Sequence, residues 1–282
     1  MKSRFGLFLG LLAITGFILN CAKDSGTIGS EGDSSTVATS SASVMSSTTG
    51  ASSSTSENSR ISGIPGTPLV YGGQTYKTVV ISTQTWMAEN LNIGTRVDGT
   101  GPTADQSNNS VIEKYCYGDL DTNCTTDGGL YQWAEAMGFP SACNVMSLTD
   151  CGQTIVLLNH QGICPTGWRM PNATDWLTLT LALRRTASTV GATMKLKSTT
   201  FTSWDANTYN DGNSSGFSGL PAGRRYSNGG FGNHGINAGF WEASEISASD
   251  AIYLSLYFDS AKHLANIDYK TFGFSVRCLR DN

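Results

Sequence analysis

The chain has 282 residues, a net charge of −4, and a composition that is 39% hydrophobic but only 14% charged. No basic stripe is available to neutralise phosphates, so strong nonspecific attraction to nucleic acid is excluded. Seven cysteines in a chain with only three histidines point to cross-linking rather than zinc, because no Cys-x-x-Cys pair occurs.

The chain opens with Lys2 and Arg4 and an apolar run of 15 residues from Phe5 to Leu19. A membrane span needs about 20 residues, so this run reads as a secretory signal followed by a cleavage zone of small residues. Ile18-Leu19-Asn20-Cys21 resembles the lipobox of bacterial lipoproteins. That resemblance implies cleavage before Cys21 and acyl chains on the new N-terminal cysteine, with Asn20 replacing the usual Gly, Ala or Ser. The alternative is an ordinary signal with an incidental cysteine. Ala22-Lys23 lacks Asp in the second position, which resembles an outer-membrane or cell-surface address. The expected partner of this end is therefore the membrane, through the acyl chains on Cys21.

Residues 21–65 contain no aromatic side chain, and Ser34 to Ser56 is mostly Ser and Thr. Such a segment buries too little apolar surface to offset its ordering entropy. As a flexible chain of about 45 residues it spans roughly 35–40 Å and acts as a tether. The expected division is a signal at 1–20, the tether at 21–65 and a folded domain at 66–282.

In the folded part, Tyr76 to Ile81 reads as a strand that pairs across Ser82-Thr83 with Gln84 to Ala88. Asp119-x-Asp121-x-Asn123 has the alternating oxygen ligands of a calcium loop. Cys124 replaces the required Gly, and Leu130 replaces the acidic closing ligand, so no EF-hand is expected. A looser calcium site with Asp127 and a plain polar turn are the two readings left, and the turn is favoured; no cofactor is expected. Leu130, Trp133, Ala134 and Met137 fall on one helical face, which predicts a short helix over Gly129 to Met137, capped by Asp127 and ended by Gly138. Asn172 and Asp175 form a capping-box spacing that predicts a second helix, although Leu177, Leu179, Leu181 and Leu183 alternate as in a strand.

The last third reads as β. Ile252 to Phe258 alternates one apolar and one amphipathic face. Asp259-Ser260 turns the chain into a partner strand from Lys262 to Ile267, and Phe272 to Leu279 supplies a final strand. The Asn/Gly-rich stretch from Asp205 to Gly239 is the expected binding region. Trp204 and Trp241 border it and are the aromatic residues expected to be exposed. Gly212-Asn213-Ser214-Ser215-Gly216 matches Gly-x-Ser-x-Gly, followed by Asp250 or Asp259 and His263, but its flanks read as loop rather than as the strand and helix of a nucleophile elbow.

Setting Cys21 aside leaves Cys116, Cys124, Cys143, Cys151, Cys164 and Cys278, an even set suited to three disulfides in an exported domain. Fifteen pairings exist. Spacing favours Cys116–Cys124 and Cys143–Cys151, leaving Cys164 for Cys278. Loop-closure entropy assigns the long link about 5 kcal/mol and a short one about 2.5 kcal/mol.

Five blocks then resemble the Fibrobacter succinogenes major paralogous domain, in that family's order: Val79 to Leu91, Gly129 to Met137, Cys164 to Pro171, Phe217 to Arg225 and Gly273 to Cys278. Glu242 departs from the Ser and Thr that the family tends to place after the Phe240-Trp241 pair, and marks either a changed ligand surface or an exposed strand end. The resemblance implies an α+β, C-type lectin-like domain related to the formylglycine-generating enzymes, with two short helices, antiparallel hairpins and long loops. It carries no established catalytic residue. The expected function is non-enzymatic binding of a glycan, matrix protein or envelope component, with Trp204, Trp241 and Glu242 as ligand-contact candidates. An envelope hydrolase or oxidase on the same scaffold is the alternative.

Overall fold

The computed structural model describes residues 62–101, 104–156, 158–184, 191–200, 204, 210, 212–261 and 263–281. Cys21, the signal, most of the tether and residues 205–209 lie outside the described residues, as does the side chain of His263. Among the described residues there are fourteen strands: β1 (Ile64–Pro65), β2 (Leu69–Tyr71), β3 (Gln74–Tyr76), β4 (Thr78–Ile81), β5 (Gln84–Met87), β6 (Thr95–Arg96), β7 (Glu113–Lys114), β8 (Trp168–Arg169), β9 (Ala222–Arg225), β10 (Phe231–His234), β11 (Asn237–Glu245), β12 (Asp250–Tyr257), β13 (His263–Tyr269) and β14 (Leu279–Arg280). Three α-helices accompany them among the described residues: α1 (Asp121–Asp127), α2 (Trp133–Ala136) and α3 (Ala173–Arg184). The class is α+β, with one helix more than expected.

One antiparallel sheet runs β1-β4-β5-β14-β8, and a second runs β11-β12-β13. The β4–β5 hairpin forms as expected, with Ile81 opposite Gln84 across a two-residue loop. Pairing of Ile64 and Pro65 with Val80 and Val79 brings the start of the folded domain ahead of residue 66. The β12–β13 hairpin also forms. The face of β12 expected to be amphipathic is buried as well. Leu254 and Leu256 join a cluster around Trp86, Trp176, Phe217 and Phe240, while Ala251 and Tyr253 join another around Trp133, Trp241 and Phe274. A middle strand between two clusters has no solvent side.

Helix α3 settles the leucine alternation. Leu179 and Leu183 are buried one turn apart, and Leu177 and Leu181 face solvent. The capping box is reciprocal: Asn172 N–H donates to Asp175 Oδ2 at 2.8 Å, and Asp175 N–H donates to Asn172 Oδ1 at 3.1 Å. Glu242, expected at a surface, is only 2% exposed. Its carboxylate accepts from Ser244 Oγ at 2.7 Å and from the Ala173 N–H at the start of α3, so it serves that helix end.

The helix expected over Gly129 to Met137 shrinks to the single turn α2. Leu130 and Tyr131 instead bridge to Tyr115 and Phe274, because every residue from Gly128 to Met137 is buried and the apparent stripe marks no single face. Gly138 ends the turn as expected, its N–H donating to Glu135 O. Asp127 closes α1 rather than capping α2. The final strand is likewise short. Gly273, Phe274 and Ser275 make single bridges to Arg225, Tyr131 and Phe240 before β14 begins.

All three disulfides favoured by spacing are formed: Cys116–Cys124, Cys143–Cys151 and Cys164–Cys278. Buried cations do the remaining cross-linking. Arg277 is fully buried and donates to the carbonyls of Met87, Phe217 and Ser218 and to Asn90 Oδ1, with its guanidinium 4.7 Å from the Phe217 ring centre. Arg225 donates to Gly99 O, Gly101 O and Ala104 O at 3.0, 3.0 and 2.9 Å over the Tyr115 ring. Lys270 donates to Cys143 O, Met146 O, Ala248 O and Glu245 Oε2 over the Trp133 ring.

Replacing Arg277 by Leu leaves three buried carbonyls without donors and should cost at least about 3 kcal/mol of unfolding free energy. Urea unfolding of Arg277→Leu and Arg277→Lys tests this. Lys should restore part of the loss, since it supplies three donors in place of five.

Candidate functional site

A groove of about 410 Å³ lies where the β3–β4 corner, residues 88–92, the end of α1 and residues 198–200 meet. Its lining is dominated by amides and hydroxyls: Gln74, Asn90, Asn92, Thr126, Ser198 and Asn213 among them. The floor is rigid for local reasons. Asn90 spans three elements, donating to Asp127 O at 2.7 Å and Ser275 Oγ at 3.1 Å while accepting from Arg277 Nε at 2.7 Å. Gly128 ends α1 at φ 84, and a Cβ there would stand 2.5 Å from Asn90 Cβ, so only glycine lets the helix end meet the floor. Gln74 Nε2 donates to Asn92 O, and Lys114 Nζ donates to Asn92 Oδ1, at 2.7 and 2.6 Å. The Lys77 N–H donates to Glu89 Oε2 at 2.7 Å.

Asp127, 2% exposed, lines this groove and also an adjoining hollow with Asn123, Thr126, Thr200 and His234. Its Oδ2 lies 2.7 Å from His234 Nε2, and its buried Oδ1 has no hydrogen-bond partner among the described residues. The His234 ring stacks on Tyr117 at 4.6 Å. A carboxylate hydrogen-bonded to an imidazole fixes that ring's tautomer and orientation. A sequence separation of 107 between Asp127 and His234 hides this pair from any local pattern.

The aromatic candidates lie elsewhere. Trp204 and Trp241 are both fully buried, which corrects the expectation that they are exposed. Trp241 sits on the middle layer against Phe274 at 4.8 Å, and its Nε1 donates to Tyr131 O at 2.7 Å. Trp204 lies beneath Lys197. Glu242 is buried too, as described above, so none of the three contributes to a surface.

The acidic run is dispersed rather than convergent. Asp119 accepts from Gly99 N–H and Thr100 Oγ1, Asp121 pairs with Arg96, Asn123 donates to Tyr117 O, and Asp127 holds His234. Among the described residues no group of three or more His, Cys, Asp or Glu side chains is placed to hold a metal ion. The Gly-x-Ser-x-Gly segment is a turn with Gly212, Asn213 and Gly216 at positive φ. Among the described residues neither a strand before it nor a helix after it forms the elbow, and the segment runs on through Phe217 to β9. Cys278 is paired with Cys164, and both are buried, which leaves no thiol there for oxidase chemistry.

A second hollow of about 410 Å³ lies by Glu135, sharing no residue with the groove. Burial, together with repulsion from Glu113, pushes the Glu135 carboxyl up to about 7, against a lowering hydrogen bond from the Glu113 N–H. A carboxyl raised by folding favours the folded state while protonated and loses that preference as pH rises from its unfolded value to about 7. Relative to Glu135→Gln, the wild type should therefore lose about 3 kcal/mol of stability between pH 4.5 and pH 8, measured by urea unfolding. Truncating Trp241 or Trp204 to Ala should cost about 3–5 kcal/mol in the same assay, as for core aromatics and unlike surface contacts.

The model of the Fibrobacter succinogenes major domain matches residues 79–280. No curated protein and no solved structure matches the chain. The matched span begins in β4, ends in β14, and encloses the buried cations, the tryptophans of both core clusters and the groove residues from Ala88 to Leu220, while Gln74 to Lys77 line the groove from just ahead of it. The chain therefore belongs to the Fibrobacter succinogenes major domain family.

Proposed function

We propose that this is a lipid-anchored bacterial envelope protein displaying a C-type lectin-like domain for non-catalytic binding, with the groove over Asn90 as its site and a glycan as its ligand. The observation that carries the reading is the groove's lining. Amides and hydroxyls make up most of it, on a floor fixed by Asn90 and Gly128, and with the charged Lys77, Glu89 and Asp127 at its edge they match the donors and acceptors of sugar hydroxyls. The lipobox at Cys21 and the polar tether supply the anchor and the reach.

The full chain in detergent, applied to a glycan array, should bind a defined subset saturably. Thr126→Trp should block that binding, since Thr126 is exposed and lines the groove. Chelation of calcium should leave binding unchanged. No glycan bound, or binding indifferent to Thr126→Trp, overturns the reading. Cys21→Ala should move the protein from the membrane to the soluble fraction; retention argues against acylation as the anchor. A second reading, hydrolysis, rests on the Asp127–His234 pair beside the groove. Turnover of a bound glycan that is lost in His234→Gln would replace binding with catalysis.

A further inference from the structure

We propose that the hollow beside Glu135 is a second binding site, separate from the groove, that takes a primary ammonium carried on a short apolar stem. The lining is mixed, with Ile112, Phe139 and Ile163 beside the polar Asn109, Ser110 and Gln153. Glu135 is the one charged residue in the lining and is 8% exposed. Its Oε1 accepts from the Glu113 N–H at 2.9 Å. The other carboxylate oxygen has no protein partner among the described residues, so the acceptor left over is on the group that lines the hollow. Glu113, also buried, accepts from the Asn108 N–H and adds negative potential. No Lys or Arg lines the hollow, and the neighbouring Lys114 is committed to Asn92.

Among the described residues, the lining and the adjoining Glu113 supply two carboxyl groups and no lysine or arginine. A cation is the ligand that restores charge balance in such a low-dielectric pocket, and an ammonium matches a carboxylate oxygen by charge-assisted hydrogen bonding. The apolar part of the lining, Ile112, Phe139 and Ile163, accommodates the stem behind it. The other titratable groups packed around Glu135 are Tyr131, just before α2, whose hydroxyl burial pushes up, and His160, against Phe139, whose imidazole burial pushes down. Neither supplies a counter-charge at neutral pH. The raised Glu135 carboxyl agrees with this arrangement.

Calorimetric titration of the full chain with n-pentylamine, against 1-pentanol, tests the site. The amine should bind saturably at pH 8 and about thirtyfold more weakly at pH 5.5, where a carboxyl with a pKa of about 7 is mostly protonated. Pentanol should not bind. Glu135→Gln keeps an acceptor for the Glu113 N–H and should abolish amine binding. Ser110→Trp, at an exposed lining position, should block it without touching the carboxyl. Thr126→Trp should leave it unchanged, which separates this site from the glycan groove. Absence of amine binding at pH 8, survival of binding in Glu135→Gln, or equal binding of pentanol overturns the proposal.

Discussion

A domain with short strands must find hydrogen-bond donors for loop carbonyls that are carried into its interior, and here buried cations supply them. Arg225, Arg277 and Lys270 each sit at zero exposure, each over an aromatic ring, and each gathers at least three carbonyls from two separated segments. Lys197 repeats the device with Phe258 O and Ser260 O above Trp204. Regular secondary structure satisfies its own backbone, whereas irregular chain does not. Each cation thus replaces a sheet ladder with one side chain. The ring beneath it compensates part of the desolvation that a buried charge suffers.

This device also shapes the groove. Arg277 holds Asn90 and the carbonyls of Phe217 and Ser218 together, and Asn90 in turn holds the end of α1 and Ser275. The polar lining of the groove is thereby the outer layer of a network whose inner layer is charge. A ligand in the groove would meet side chains already oriented by partners behind them, which lowers the ordering cost of association.

Local patterns made much of the fold readable. The β4–β5 hairpin follows from two apolar runs around a two-residue loop, α3 from Asn172 and Asp175, and β12–β13 from alternation around Asp259-Ser260. The six domain cysteines paired as their spacing favoured. What stayed hidden was non-local. Trp204 and Trp241 were expected at a surface because Asn and Gly surround them in sequence, yet β11 runs between two core clusters. Glu242 reads as exposed until the start of α3 is seen above it. Asp127 and His234 share a hydrogen bond across 107 residues, and no periodicity reports such a meeting. Gly129 to Met137 shows the complementary failure: a helical stripe has no meaning where all sides of the segment are buried.

The Cys164–Cys278 bridge, spanning 114 residues, and the position of β14 between β5 and β8 give assembly an order. Cys116–Cys124 and Cys143–Cys151 can close as soon as their own short segments emerge. Cys164 must wait, as a lone thiol, until residues 278–280 arrive to fill the vacant lane of the five-stranded sheet. During that interval the chain is open to mixed disulfides with any oxidant or neighbouring thiol. Its yield in an oxidising compartment will depend on a catalyst that reshuffles such adducts faster than the half-built sheet recruits another chain.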